Sequence, residues 1–209
     1  MTEAKQRTRE RISRSQVDKF AERRAQLAES ALQTLAELGY ARTSLREIAQ
    51  NSEFSHGVLH YYFADKVDLL THCVRQFEEA CVTRYDEIVA RARTADELKH
   101  DFAAAMAGTL RADARMHRLW YDLRNQSLFE ESFRADVLEI DRRREEMIMH
   151  VITRYAELAE TRHALSTSVT YAMFDGLFQQ MLLRHLAGDE TAAADLEAAV
   201  PGLVVGVVA

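Results

Sequence analysis

The scarcity of chain-breaking residues is the feature that most constrains the fold. The chain has 209 residues but only one proline and seven glycines. Strand-rich folds need many tight turns, and those turns recruit glycine and proline. So few breakers therefore predict an all-α fold of long helices with short connections, about nine helices in total by their hydrophobic periodicity. A chain of this length can bury a core without disulfides or a metal.

The two cysteines and the apolar segments indicate the compartment. Cys73 and Cys81 are the only cysteines, and on one helix they would lie about 12 Å apart along its axis. A disulfide needs Cα atoms within about 7 Å, so we expect two free thiols, which fit a reducing environment. No apolar run approaches a membrane span, and the charged N-terminus is unlike a secretory signal. We expect a cytoplasmic protein with no membrane partner.

The charge is unevenly distributed along the chain. The net charge is −6, yet residues 1–24 hold eight Lys/Arg against four Asp/Glu, so this segment carries +4 and the remainder −10. A basic end on an acidic body suits a DNA-binding head on a body that does not bind DNA. A solubilising tail would give the same composition, and charge alone does not separate the two.

Capping residues and periodicity divide the first 64 residues into an arm and three helices. Residues 1–14 are polar and predict a flexible basic arm. Ser15 resembles the N-cap of a first helix that ends at Gly39. Thr43 or Ser44 caps a short second helix, residues 52–54 form a turn, and Ser55 caps a third helix with Leu59, Tyr62 and Phe63 facing inward.

The remaining residues predict further helices, with boundaries uncertain by a few residues. The expected helices span residues 66–93, 95–111, 113–127, 131–160, 166–187 and 190–199. The segment 166–187 is apolar on two sides, so one side would face its own core and the other a second subunit. We assign Phe174, Phe178, Met181, Leu182 and His185 to the dimer interface, and expect the apolar residues 202–209 to pack there too.

A cluster of residues between 43 and 70 resembles the TetR family of repressors. The matching positions are Thr43, Glu47, Ile48, Ala49, Ser55, Gly57, Leu59, Tyr62, Phe63, Lys66, Asp68, Leu69 and Leu70. The resemblance implies a helix-turn-helix DNA-binding domain at 15–64 and a helical ligand-binding and dimerisation domain at 65–209. It further implies a homodimer on a palindromic double-stranded DNA operator, released by a small-molecule effector whose identity the sequence does not give.

Polar residues on the outward side of the second and third helices are the candidate DNA contacts. An outward face beside a tight turn can approach base edges and phosphates, although plain solvent exposure would show the same pattern. Gly57 lets the third helix approach the DNA closely, and Lys66 joins a helix N-terminus that can hold a phosphate. The predicted DNA-binding set is Thr43, Ser44, Arg46, Ser55, His56, Gly57, His60, Tyr61, Tyr62 and Lys66.

Large and polar residues in the second half are the candidate ligand contacts. Most residues of this kind are simply core, so the polar ones among them are more informative because a buried polar group needs a partner. The set is Phe77, Phe102, Met106, Trp120, Tyr121, Arg124, Met147, Met173, Asp175 and Leu177. The stretches around Trp120 and Asp175 are similar to the choline-responsive repressors, and Trp120 is of a type that holds cations.

Four alternatives to this function and one anomaly follow from the sequence. His56 and His60 have the spacing of a metal pair, but no third ligand is evident, so we predict no metal and no cofactor. A thiol-based redox sensor or a helical interaction module without DNA binding stays open. No phosphate loop or nucleophile motif points to an enzyme. Glu53 occupies the turn where the family usually has glycine, so either the turn has a different shape or glutamate is strained at a positive φ and some stability is lost.

Overall fold

A computed structural model describes residues 2–39 and 42–209, with the side chains of residues 2–17 and 80 left outside the description. Within these residues the chain is all-α, as predicted, apart from an isolated bridge between His163 and Val208. The helices are α1 (Thr2–Leu38), α2 (Leu45–Gln50), α3 (His56–Tyr62), α4 (Lys66–Cys81), α5 (Asp86–Arg91), α6 (Ala95–Ala112), α7 (Ala114–Gln126), α8 (Arg134–Leu158), α9 (Thr167–Leu186) and α10 (Ala192–Gly206), with a 3₁₀ turn at Glu131–Phe133 before α8. None of the described helices is long and apolar enough to cross a membrane.

The chain divides into two compact units, Met1–Gln76 and Phe77–Ala209. The first contains α1 to α3 and most of α4, and the second contains the end of α4 and the remaining helices. The prediction placed the boundary between residues 64 and 65, where α4 begins. The two units are described separately below.

The start of α1 differs from the prediction. The helix already begins at Thr2, so Ser15 is an internal residue and not an N-cap, and residues 2–14 are helical where a flexible arm was expected. Glu, Lys, Arg, Gln and Ala have high helix propensity, and a helix nucleated further on extends through such residues without an apolar stripe. The predicted basic role of the arm concerns side chains outside the description.

The end of α1 and the core of the first unit agree with the prediction. Gly39 has a φ of 78°, the left-handed conformation of a residue that follows a helix, and its amide donates to the carbonyl of Leu35 over 2.8 Å. Leu27 and Leu35 are fully buried together with Leu59 from α3. The first three helices therefore share one small core.

The predicted long helix over residues 66–93 is interrupted. The chain leaves α4 after Cys81, turns through residues 82–85, and re-enters α5 at Asp86. Val82 and Thr83 are β-branched and lower helix propensity at this point. The turn places the ring of Tyr85 in the core, edge-on to Phe102 with ring centroids 4.8 Å apart. This break gives the described residues ten α-helices where about nine were expected.

Helix α10 is longer than predicted and forms part of the core of the second unit. It was expected to end near residue 199, but it continues through Pro201 to Gly206 and lies against α6 and α9. Val200, Val204 and Val207 are fully buried within the same chain. The apolar C-terminal segment is therefore used largely by its own subunit, and the prediction that residues 202–209 pack at a dimer interface is corrected for these buried side chains.

Candidate functional site

Two side-chain caps fix the geometry of the helix-turn-helix. The hydroxyl of Ser44 accepts from the amide of Glu47 at the start of α2 over 3.2 Å, and Ser55 does the same for Val58 at the start of α3 over 3.3 Å. These bonds satisfy backbone donors that a helix N-terminus leaves unpaired. The predicted caps at Ser44 and Ser55 are confirmed, and they set where α3 begins.

The outward face of α3 is polar and open. Ser55, His56, Gly57, His60 and Tyr61 are all exposed, and Tyr61 is 72% exposed. The rings of His56 and His60 stand edge-to-face with centroids 4.4 Å apart. Side chains of this kind can donate to and accept from base edges and phosphates. Their contact with DNA remains a prediction.

A depression beside this face brings several of the predicted DNA contacts together. Its lining includes Ser44 and Arg46 at the start of α2, His56 and His60 of α3, and Asp65 and Lys66 at the start of α4. The hydroxyl, imidazole and cationic groups suit a phosphate oxygen, whereas the carboxylate of Asp65 opposes one. Tyr62 is half-buried and lies against Phe20 of α1, with ring centroids 4.7 Å apart.

Thr43 corrects the predicted set. Its side chain is 3% exposed, and its hydroxyl donates to the carbonyl of Gly39 over 2.6 Å. The hydroxyl therefore closes the connection between α1 and α2, and it is not displayed toward DNA. A hydroxyl near a helix N-terminus can serve either purpose, and the sequence does not separate them.

Arg24 and Asp68 support α3 through contacts at its C-terminal end. The two side chains form an ion pair between α1 and α4, and Asp68 also accepts from the amide of Ala64 over 3.0 Å. The Arg24 guanidinium lies 4.8 Å from the ring centroid of Phe63, the residue that follows α3. These contacts fix the C-terminal end of α3, and they give a structural role to a family-matching residue that the sequence analysis left unexplained.

The turn at Glu53 does not have the predicted strain. Among residues 2–39 and 42–209, the non-glycine residue with a positive φ is Glu160. Of the two possibilities for Glu53, strain at a positive φ is therefore contradicted, and a turn of different shape agrees with the structure. The hydroxyl of Ser52 accepts from the amide of Phe54 over 3.3 Å, which shapes the turn with ordinary backbone angles. Glu53 is exposed, and its charge remains beside the proposed DNA face.

A small, partly open cavity lies in the second unit, and we call it the central cavity. Its volume is about 50 Å³. Its wall includes four predicted ligand contacts, Met106, Tyr121, Met147 and Asp175. It also includes residues that the sequence analysis missed or assigned elsewhere, among them Arg84, Tyr85, His117, Arg144, Tyr171 and Phe178.

The two sides of α9 are the reverse of the prediction. Phe174, Phe178, Met181 and Leu182, expected at a dimer interface, are at most 8% exposed within the single chain, and His185 is half-buried. Met173, expected in the ligand site, is 40% exposed. A helix apolar on both sides gives no sequence signal for which side is the core, so the two faces were exchanged.

The other predicted ligand residues form the support of the cavity. Phe102 is fully buried against Tyr85 and Phe174, and Phe77 lies edge-on to His117. Leu177 is half-buried. Trp120 is 1% exposed, and the guanidinium of Arg144 already lies 4.6 Å from the centroid of its ring. The cation that Trp120 holds in this structure is therefore the chain's own arginine.

Charged groups around the cavity are paired across helices. Glu78 of α4 is fully buried and binds Arg144 of α8, with 2.9 Å between Arg144 Nε and Glu78 Oε2 and a second bond through Nη2. Asp175 of α9 accepts from the hydroxyl of Tyr121 over 2.8 Å and from the guanidinium of Arg124. A charged residue on the apolar stripe of α4, as Glu78 is, was the signal that would have pointed to this pair.

His117 lies in the wall of the cavity as a neutral group. Burial lowers its pKa well below the usual value, and the positive charges of Arg144 and Arg84 lower it further. Its Nε2 lies 3.2 Å from the hydroxyl oxygen of Thr109, and that hydroxyl is 3.1 Å from Asp113. The carboxylate can only accept, so Thr109 donates to it and His117 carries its proton on Nε2.

The cysteines do not have the character of sensors. Both are buried and unpaired in disulfides, and Cys73 Sγ is 3.2 Å from the carbonyl of Ala28. Burial raises the pKa of both thiols, that of Cys81 to about 12. The thiolate is the reactive form, so neither thiol is expected to react near neutral pH. His56 and His60 likewise have no third ligand, since the described residues contain no group of three or more metal-binding side chains.

A helix-turn-helix with an exposed second helix, joined to a helical unit with a cavity, defines a DNA-binding transcription regulator. A family model described as bacterial regulatory proteins of the tetR family matches residues 27–73. Residues 27–73 therefore form a DNA-binding domain like that of the tetR family of bacterial regulatory proteins.

Curated relatives and solved structures agree with this assignment. The HTH-type transcriptional regulator BetI of Burkholderia cenocepacia is 28% identical over 178 residues, covering 83% of this chain and 89% of the relative. Among solved structures, FadR from Bacillus subtilis in complex with stearoyl-CoA has a TM-score of 0.70 at 19% identity, covering 87% of this chain and 97% of the other. A putative transcriptional regulator from Saccharomonospora viridis in complex with choline has a TM-score of 0.68 at 17% identity, covering 90% and 98%. At these identities the structures show a shared fold.

Proposed function

We propose that this regulator is a repressor that binds a palindromic operator as a homodimer and leaves it when a small molecule occupies the central cavity. The observation that carries the proposal is the exposed polar face of α3, held by the Ser55 cap and by the Arg24–Asp68 pair. Two such faces, spaced by about 34–36 Å in a dimer, would enter successive major grooves. Its site of action would be cytoplasmic DNA, an environment that suits the two free thiols.

The outward side of α9 is the proposed subunit contact. Val169, Met173 and Leu183 are 48%, 40% and 70% exposed along this helix, and a Cβ added at Gly176, between Met173 and Leu183, would meet no atom within 4 Å. Exposed apolar residues in one row favour a protein partner, and a symmetric pair of identical faces is the commonest solution. This row replaces the buried residues that the sequence predicted for the interface.

The central cavity is the proposed effector site. Small-molecule sites are concave and largely apolar, with a few convergent polar groups, and aromatic rings, methionines and paired charges surround this one. At about 50 Å³ it is far smaller than the roughly 300–1,000 Å³ of typical ligand sites, so a ligand must displace side chains. Met106 and Met147 in its wall are flexible enough to move.

Release follows from a population shift. A ligand lowers operator affinity only by its differential affinity for the two states of the protein. Helix α4 belongs to the first unit at Lys66 and to the second at Glu78. It is therefore the covalent route by which occupation of the cavity reaches the DNA-binding unit.

A gel-shift titration with DNA from upstream of the gene tests the proposal. We expect sequence-selective binding that weakens with salt and is lost on adding the effector. Choline, the compound bound in the Saccharomonospora viridis structure, is one of the compounds to screen. His60→Ala should weaken binding by about tenfold, a cost of about 1.4 kcal/mol. The matched control His100→Ala, an exposed histidine of α6, should bind like the wild type. Salt-independent or sequence-independent binding would contradict the repressor assignment.

A further inference from the structure

The charged side chains in the wall of the central cavity are mainly positive. Three charged side chains line it, Arg84, Arg144 and Asp175. Both oxygens of Asp175 are already used, one by the hydroxyl of Tyr121 and the other by Arg124. The carboxylate in this wall is therefore already paired with a cation and a hydroxyl before any ligand enters.

One of the two arginines has an unused buried donor. Arg84 bonds to Asp113 and to the sulfur of Cys81 through Nη2, while its buried Nε has no partner among the described residues. Arg144 is bound to Glu78 through Nε and Nη2. A buried donor without a partner costs free energy, so Arg84 would gain from an acceptor in the cavity, and Arg144 supplies a second positive charge in the same wall.

We propose that the effector carries an anionic group, a carboxylate in the simplest case, that binds Arg144 and Arg84 from inside the central cavity. This inference rests on the proposed function and specifies the ligand class of the same site. The guanidinium fork of an arginine matches a carboxylate in shape as well as in charge. A quaternary ammonium fits less well, since Arg144 already covers the face of Trp120 and a second cation there would be repelled.

The size of the cavity agrees with the anionic group of such an effector. Its volume of about 50 Å³ exceeds the roughly 10–15 Å³ of accessible space that one water requires, so a small carboxylate fits with little change. The remainder of an effector would have to displace Met106 and Met147. Methionine side chains adapt at small cost, so the anchor is preformed and the apolar part is induced.

Glu78 and the ligand carboxylate compete for Arg144, and this competition couples ligand binding to α4. Glu78 is fully buried on α4, three residues before the end of that helix, and depends on Arg144 for its compensation. A ligand carboxylate that draws Arg144 toward the cavity weakens this bond and leaves Glu78 buried without its full partner. That state is unfavourable unless the end of α4 shifts. Binding of the charged ligand therefore favours a displaced position of α4.

The single tryptophan reports the event directly. Trp120 is the only tryptophan of the chain and lies under the guanidinium of Arg144. The experiment titrates the full-length protein with the linear monocarboxylates from acetate to octanoate, with the primary amides of the same chain lengths, and with choline chloride at constant ionic strength. Trp120 fluorescence gives the affinity, and a gel shift on the operator runs in parallel.

We expect saturable fluorescence changes with a carboxylate, and binding at least about tenfold weaker for the matching amide. Glu78→Gln removes the competitor and should tighten carboxylate binding by about tenfold, whereas a purely structural role for Glu78 would weaken it or leave it unchanged. Glu79→Gln, a neighbouring exposed carboxylate on the same helix, is the matched control and should have no effect.

Three results would overturn the inference: amides binding as tightly as acids, choline binding while no carboxylate does, or no saturable change with any carboxylate. If Glu78→Gln fails to fold, Arg84→Gln replaces it, and this variant should weaken carboxylate binding about tenfold. Carboxylate binding that leaves operator affinity unchanged would refute ligand-induced release but not the ligand class. Loss of all operator binding would refute the proposed function alone.

Discussion

Replacing Arg144 with methionine should strongly destabilise the second unit. Its guanidinium is 7% exposed and compensates Glu78, which is fully buried. Removing one member of a buried ion pair leaves the other charge uncompensated and costs about 3–5 kcal/mol. In a chain of this size each kcal/mol lowers Tm by about 2–4 °C, so we expect Arg144→Met to lower Tm by about 10 °C.

The double variant Glu78→Met/Arg144→Met separates charge from packing. With both charges replaced by apolar side chains of similar volume, the desolvation cost also disappears, and such replacements are often neutral or stabilising. We expect the double variant to lie within about 1 kcal/mol of the wild type, or above it. Urea unfolding followed by Trp120 fluorescence gives the free energy of unfolding of the wild type, the single variants Glu78→Met and Arg144→Met, and the double variant, because Trp120 lies beneath the pair. A double-variant cost equal to the sum of the two single costs would refute the reasoning.

Three further predictions concern other parts of the chain. Burial keeps His117 neutral and lowers its pKa, so below about pH 6.5 the unfolded chain binds a proton that the folded chain does not. The free energy of unfolding should therefore fall by up to about 1.4 kcal/mol per pH unit on acidification. His117→Gln should flatten this slope in urea titrations at pH 5 to 7, and His100→Gln should not. Leu183 and Leu128 are 70% and 72% exposed. In analytical ultracentrifugation, Leu183→Arg should convert the proposed dimer to a monomer, and Leu128→Arg should not. Equal behaviour of the two variants would place the subunit contact elsewhere. Glu53 does not have a positive φ, so Glu53→Gly should not raise Tm, and a stabilised glycine variant would contradict the turn geometry. Glu53→Gln should tighten operator binding at low salt, because it removes a negative charge near the phosphates.

The sequence was informative where chemistry is local. Few breakers predict helices, and caps such as Ser44 and Ser55 show where short helices begin, because each cap satisfies its own backbone donors. Gly39 marks the end of α1 for the same local reason. These signals depend on neighbours within four residues, so one sequence contains them completely.

The cavity was predictable only in part because its pairs join distant residues. Arg144 and Glu78 are 66 positions apart, and Arg124 and Asp175 are 51 apart, so no local pattern relates them. The two faces of α9 were exchanged because Phe174 and Met173 are both apolar, and only packing shows which one is covered. Thr43 was misassigned since a hydroxyl near a helix start serves a backbone carbonyl as readily as a phosphate.

Helix α9 carries two sets of side chains on opposite sides. Tyr171, Phe174 and Asp175 line the central cavity, while Met173 and Leu183 form part of the exposed row proposed as the subunit contact. Binding at one side of a rigid helix changes the free energy of binding at the other, and such linkage is reciprocal. The apparent effector affinity should therefore depend on protein concentration across the range in which subunits associate. Dilution would act on this regulator as an effector in its own right.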